Sequence, residues 1–194
     1  MRGFTLAEML VVIAITAAVA GSLLYVIQNF YRSNAYVFES AVSVDTARRG
    51  IGTTLQDIRE ASYGDDGSYP IQSVSTSSIT FFSDLDDDQG VERVRIFIQN
   101  GTLYRVITNS GGNPPSYTGQ TSATTTILTY IRNGTSTPLF KYYNAEGALL
   151  SATSTDVSEI TSVAATLMID LNPNRAPNIL TLTGSATLRN YTSQ

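Results

Sequence analysis

The chain contains no cysteine, no histidine and no tryptophan, and only one lysine, Lys141. Without Cys or His it can form no disulfide, no thiolate nucleophile, no His-based triad and no Cys/His zinc site. Most catalytic templates are thereby excluded, and the fold must be held by packing alone. Proline is also absent before Pro70, so nothing in the first third of the chain forbids a long helix. Positive charge is scarce as well: 12 basic residues against 16 acidic ones give a net charge of −4. There is no basic stripe with interleaved aromatics, the electrostatic footprint that nucleic acid requires, so no nucleic-acid partner is expected.

What the chain does have is a run from residue 9 to residue 27 without a formal charge, preceded by Arg2-Gly3-Phe4-Thr5-Leu6-Ala7-Glu8. A membrane-length helix therefore carries one carboxylate, Glu8, at its mouth. A charged side chain in a bilayer costs roughly 2.5–3.5 kcal/mol at a helix centre and less near an end, and it is usually retained for a partner. Three plainer readings compete. A secretory signal could end at Ala18-Val19-Ala20, but such signals carry charge before the apolar core, and this run continues apolar beyond that point. An ordinary signal anchor leaves Glu8 without a purpose, and a buried core helix does not need so long an uncharged length.

Gly3, Phe4 and Glu8, the last being the fifth residue counted from Phe4, followed at once by an apolar helix, resemble the type IV prepilin signature. The resemblance implies that a prepilin peptidase of the inner membrane cuts between Gly3 and Phe4 and that the new amino terminus on Phe4 is N-methylated. It also implies that Glu8 meets such an amine on a neighbouring pilin or pseudopilin of the same filament. Unit charges about 4 Å apart attract by about 4 kcal/mol at an effective dielectric near 20, enough to fix an axial register between greasy helices. Small residues at Ala14, Ala17, Ala18, Ala20 and Gly21 would allow helices to approach closely.

The helical pattern continues beyond the apolar run. Phe30, Val37, Val44, Ile51, Leu55 and Ile58 recur as a dry face, with polar residues at other phases. One helix over residues 4–62 is expected, about 90 Å long at 1.5 Å per residue. Its weak points are Gly50 and Gly52, where a bend is plausible, and its stop is Tyr63-Gly64-Asp65-Asp66-Gly67, with Gly64 free to turn left-handed.

Beyond the helix the period changes to two. Strands are expected at residues 78–82, 93–98, 103–107, 127–131, 139–143, 163–171 and 179–188, and Asn100-Gly101 supplies a hairpin turn between two of them. Residues 108–126, rich in Ser, Gly, Asn, Pro and Thr, read as an exposed loop, and residues 172–178 as a turn-rich linker. The expected fold class is α+β: a long N-terminal helix, membrane half plus amphipathic half, packed on an antiparallel β-sheet domain in a pilin-like arrangement. The expected organisation is a leader at 1–3, a transmembrane half at 4–27, an amphipathic half at 28–62 and a globular β-rich domain at 63–194.

The stretch 79–86, the hairpin from Arg93 to Val106, Phe140-Lys141-Tyr142-Tyr143 and Thr187-Leu188-Arg189-Asn190 resemble the J-type minor pseudopilins of type II secretion. A minor pilin of a type IV pilus or competence filament shares the leader motif. The resemblance implies a non-enzymatic filament subunit at or near a tip, first held in the bacterial inner membrane by a single pass with its globular domain outside the cytoplasm. The alternative is a signal-anchored extracytoplasmic binding domain that joins no filament. No cofactor or metal is expected. The acidic run from Asp84 to Glu92 suggests calcium by composition, but EF-hand spacing fails, with Gln89 at the sixth position and Arg95 at the twelfth. Asn100, Asn133 and Asn190 begin glycosylation-type triplets that a Thr-rich chain produces by chance. Tyr130, Tyr142 and Tyr143 read as sheet or core residues.

Overall fold

A proline-free stretch rich in Ala, Leu, Ile and Val has the composition of a continuous helix, and the computed structural model contains one: α1, Leu6–Arg59. The structure describes residues 5–86, 90–134, 136–153, 157–170 and 179–189. The leader, Phe4 and the linker at 172–178 lie outside them. The molecule divides into two units, one ending at Val42 and the other beginning at Ser43.

In the first unit, apart from the half-buried Tyr36, the described side chains of α1 are exposed, Phe30 and Val37 included. Their expected place on a dry face is therefore not borne out, because a lone helix has no second layer to bury a stripe against. In the second unit the same helix turns apolar residues inward at Ala47, Ile51, Leu55 and Ile58, and Ala61 is buried just beyond its end. This spacing of three and four keeps them on one side.

The helix ends without a left-handed glycine at Gly64, contrary to expectation; the positive φ belongs to Gly67, at 79°. Gly64 is instead pressed on Phe82, whose ring lies 3.1 Å from where a Cβ would stand. The chain at the helix end is tied down from two directions, by the residues just after β9 and by β2. Arg189 N–H donates to Arg59 O at 3.0 Å, and Ser62 N–H donates to Phe82 O at 2.9 Å, as the exposed carbonyls and amides of a helix end require.

The strands form two antiparallel sheets. The first is a meander of β1 Ile71–Val74, β2 Ser78–Ser83, β3 Glu92–Gln99, β4 Thr102–Thr108 and β5 Ser122–Leu128, in that spatial order. Asn100 and Gly101, with φ of 50° and 71°, make the tight turn between β3 and β4, as an Asn-Gly pair favours. The second sheet orders β7 Leu149–Leu150, β6 Phe140–Tyr143, β8 Ser162–Ile169 and β9 Leu180–Thr187. The buried Tyr142 hydroxyl joins the two, donating towards Ser75 O at 2.8 Å and Ser78 O at 3.1 Å. Burial raises its pKa, so it remains a donor across the ordinary pH range.

Strand β5 corrects the expectation of a long loop at 108–126 and of a strand at 127–131. Its Thr-rich sequence buries almost nothing, yet it pairs with β4 from Thr108↔Ser122 to Leu103↔Leu128. Backbone pairing, aided by the β propensity of Thr, orders it where apolar burial could not. Part of the remaining loop is ordered too, because Gly111 and Ser116 exchange backbone hydrogen bonds of 3.0 and 2.9 Å. Tyr117 is buried against Phe82 with ring centroids 5.0 Å apart. Tyr130 departs from expectation in the other direction: it is exposed and has a positive φ of 63°.

Two glycines allow the helix and strands to meet. A Cβ on Gly50 would sit 3.3 Å from Ile127 Cγ2, and one on Gly184 only 2.5 Å from Leu55 Cδ1. α1 passes Gly50 and Gly52 unbroken, so Gly50 serves as a contact point within a continuous helix. We expect Gly184→Ala to destabilise the globular unit by about 1–3 kcal/mol through overpacking against Leu55. Thermal melting of the variant beside the parent checks this, and an unchanged Tm would mean that Leu55 moves aside without cost.

Candidate functional site: the N-terminal helix

The first turn of α1 is locked by two residues. Thr5 N–H and Thr5 Oγ1–H both donate to Glu8 Oε2 at 2.9 Å, and Glu8 N–H donates back to Thr5 Oγ1 at 3.3 Å. This reciprocal arrangement is a capping box, in which a Thr at the N-cap and a Glu three residues on satisfy amides that the helix itself cannot. The helix bonds begin with Met9 N–H donating to Thr5 O at 3.2 Å. Thr5-x-x-Glu8 was legible as a capping signature, and the reading of Glu8 solely as an intersubunit charge passes over it. The two roles are compatible, since both of these bonds fall on Oε2 and a carboxylate offers about four acceptor sites.

From Leu6 to Phe38 the helix is long and apolar enough to cross a membrane. These 33 residues rise about 50 Å at 1.5 Å each, more than the roughly 30 Å of a hydrocarbon core. Two of its hydroxyls, those of Thr16 and Ser22, are satisfied within the helix. Thr16 Oγ1 lies 2.9 Å from Val12 O and 3.0 Å from Ile13 O, and Ser22 Oγ donates to Val19 O at 2.8 Å. Such internal bonds reduce the cost of placing Thr and Ser in lipid. Between Leu6 and Tyr31, Glu8 is the only formal charge in the sequence.

Residues 1–24 match the family model for the prokaryotic N-terminal methylation motif. The N-terminal segment is therefore of the prepilin type, and it joins an α+β domain through a helix that fits a membrane anchor. No curated protein matches the chain. The matched stretch contains Gly3 and Phe4, the expected cleavage and methylation positions, both of which lie outside the described residues. Of the expected site residues, Glu8 is the one whose side-chain geometry is described.

Elsewhere, Asp84, Asp86 and Glu92 bring carboxylate oxygens within 4.8 Å of one another. Asp87 and Asp88 lie outside the described residues. Glu92 is buried, and its Oε2 accepts Leu85 N–H at 2.9 Å, so this carboxylate secures the turn between β2 and β3. The Asn133 side chain is similarly engaged. Its Nδ2 donates to Thr166 O at 2.7 Å and Thr137 O at 3.2 Å, while its Oδ1 accepts Met168 N–H at 2.9 Å. An amide committed in this way stitches the 130–133 segment to β8 and is poorly placed to accept a glycan. Asn190 lies outside the described residues.

A partly buried ion pair escaped sequence reasoning. Arg105 on β4 donates through Nη1 to Asp57 Oδ2 of α1 at 3.0 Å. Burial pushes the Asp57 carboxyl above its ordinary 3.8, against the hydrogen bond and charge of Arg105, which pull it down. Arg105 Nε is buried without a hydrogen-bond partner among the described residues. No sequence signal joins these two residues, which are 48 positions apart.

Proposed function

We propose that this protein is a pilin-like filament subunit, a minor pseudopilin of type II secretion or a minor pilin of a type IV pilus, placed at or near a filament tip. The observation that carries the reading is a prepilin-type motif whose one carboxylate, Glu8, stands at the first turn of a bare, membrane-length helix. A prepilin peptidase cuts between Gly3 and Phe4 and methylates Phe4. The processed helix waits in the bacterial inner membrane with the globular domain outside the cytoplasm, and Glu8 then pairs with the amine of an adjoining pilin or pseudopilin. Pairing two charges removes the cost of leaving either alone in lipid, which gives extraction into a filament an electrostatic direction. The globular unit performs no catalysis in this account; it serves as a packed head.

The experiment is mass spectrometry of the mature N-terminus from native membranes. N-methylated Phe4 as the first residue is the expected result. A chain beginning at Met1 or Gly21 overturns this reading and favours the anchored binding domain.

A further inference from the structure

The strand register sorts the side chains of the five-stranded sheet onto two faces. One is packed in the core with α1. The other carries Arg93, Arg95 and Phe97 on β3, with Tyr104 and Val106 beside them on β4. The same register places only Ser, Thr and Phe on this outer face from the paired stretches of β2 and β5; Phe82, Thr80 and, on β4, Thr108 are buried there, so the accessible part of the face centres on the exposed Arg95, with Arg93 half-buried at its edge. A chain of net charge −4 thus has two arginines and no carboxylate among the paired positions of this face.

Both arginines are held by rings. The Arg95 guanidinium lies 4.8 Å from the Phe97 centroid, and Phe97 is stacked on Tyr104 at 5.4 Å. The Arg93 guanidinium lies 5.8 Å from the Tyr117 centroid. Neither arginine forms an ion pair among the described residues, whereas Arg49, Arg105 and Arg132 each pair with an aspartate. Three acids lie near the Tyr117 ring, and each holds a backbone amide: Asp65 accepts Val91 N–H at 3.2 Å as well as the Ser110 hydroxyl, Asp66 accepts Ser68 N–H at 3.0 Å, and Glu92 holds Leu85 N–H from the opposite face. Aromatic stacking fixes a guanidinium plane while leaving its N–H fork available, so less side-chain freedom is lost when a carboxylate docks.

We propose that this face binds an acidic, extended peptide segment of a partner protein, with Arg93 and Arg95 each taking a carboxylate. Two residues along a strand span about 6.6 Å, so the arginine spacing equals that of acids at alternate positions of an extended peptide. Charge-assisted, forked hydrogen bonds supply the contacts, and Tyr104 and Val106 supply an apolar floor. The net charge of −4 disfavours a long polyanion, whose many charges meet the whole chain, more than a short acidic peptide that meets only the two arginines.

The test uses the full chain in neutral detergent micelles and a fluorescein-labelled peptide of alternating Asp and Ser, read by fluorescence polarisation at low salt. Binding that weakens as salt is raised is expected. Arg95→Gln should weaken it about tenfold and Arg95→Lys less severely, because a lysine retains the charge and loses the planar fork. Arg132→Gln, away from this face, should leave binding unchanged, and circular dichroism verifies that each variant is folded. Absence of peptide binding at low salt overturns the proposal. So does equal binding by the Arg93→Gln/Arg95→Gln double variant, or tighter binding of an oligothymidylate of equal charge.

Discussion

Glu8→Ala should leave membrane insertion and the proposed cleavage after Gly3 intact, yet reduce incorporation into the proposed filament by at least about tenfold, given an attraction of about 4 kcal/mol at an effective dielectric near 20 less the cost of desolvating the charges. The alanine variant also loses the capping box with Thr5, so alone it does not separate cap from charge. Glu8→Gln does. Gln at this position retains capping-box geometry, and its amide oxygen can still accept from Thr5, while the formal charge is gone. If intersubunit pairing is the function of Glu8, the glutamine variant assembles as poorly as the alanine variant. Recovery of wild-type filaments with Glu8→Gln would assign the residue to helix capping alone. Sheared-filament yield against membrane-bound chain, both by immunoblot, is the measurement.

The second large effect is expected at Arg105. Removing its side chain strands the Asp57 carboxylate in a site where it is almost fully buried, and Arg105→Leu should destabilise the globular unit at pH 7 by about 3 kcal/mol. The cost should depend on pH with a definite sign. The folded-state pKa of Asp57 lies above its ordinary 3.8, so the stability linked to this group is fully present below that value and is lost as pH rises through the folded-state pKa. Without the Arg105 cation, the folded-state pKa rises further, and the loss extends towards neutrality. The variant should therefore come close to the parent near pH 4, where a protonated Asp57 needs no counter-charge, and fall away from it by pH 7. Melting curves at the two pH values test this; a gap of equal size at both would show that Arg105 contributes by packing and not by charge. Replacing both residues with leucine should restore much of the loss, since an apolar pair of similar volume needs no partner.

The helix was legible because its causes are local. Absence of Pro and a long apolar run both act locally, and α1 at Leu6–Arg59 falls within the expected 4–62; the Thr5-x-x-Glu8 cap is equally local but was passed over. The β3–β4 hairpin was legible for the same reason, since Asn100-Gly101 determines its own turn. The acidic turn and Asn133 show the limits of composition: each suggests a ligand or a modification, while Glu92 and Asn133 are engaged with backbone groups. Gly50 looked like a weak point in a helix and is a point of contact with Ile127, a role invisible without knowing which strand lies opposite.

By itself the sequence determined the prepilin-type start, the apolar rod, the α+β class and the alternating strands, because each follows from periods of 3.6 or two and from residues a few places apart. Only the tertiary structure decided that the strands form two sheets, that Ser122–Leu128 is a strand, that Gly184 lies close against the Leu55 side chain, and that Arg105 meets Asp57. These features depend on groups brought together from distant parts of the chain. Backbone pairing of an edge strand needs no apolar side chains to announce it, and the burial of a carboxylate depends on what covers it.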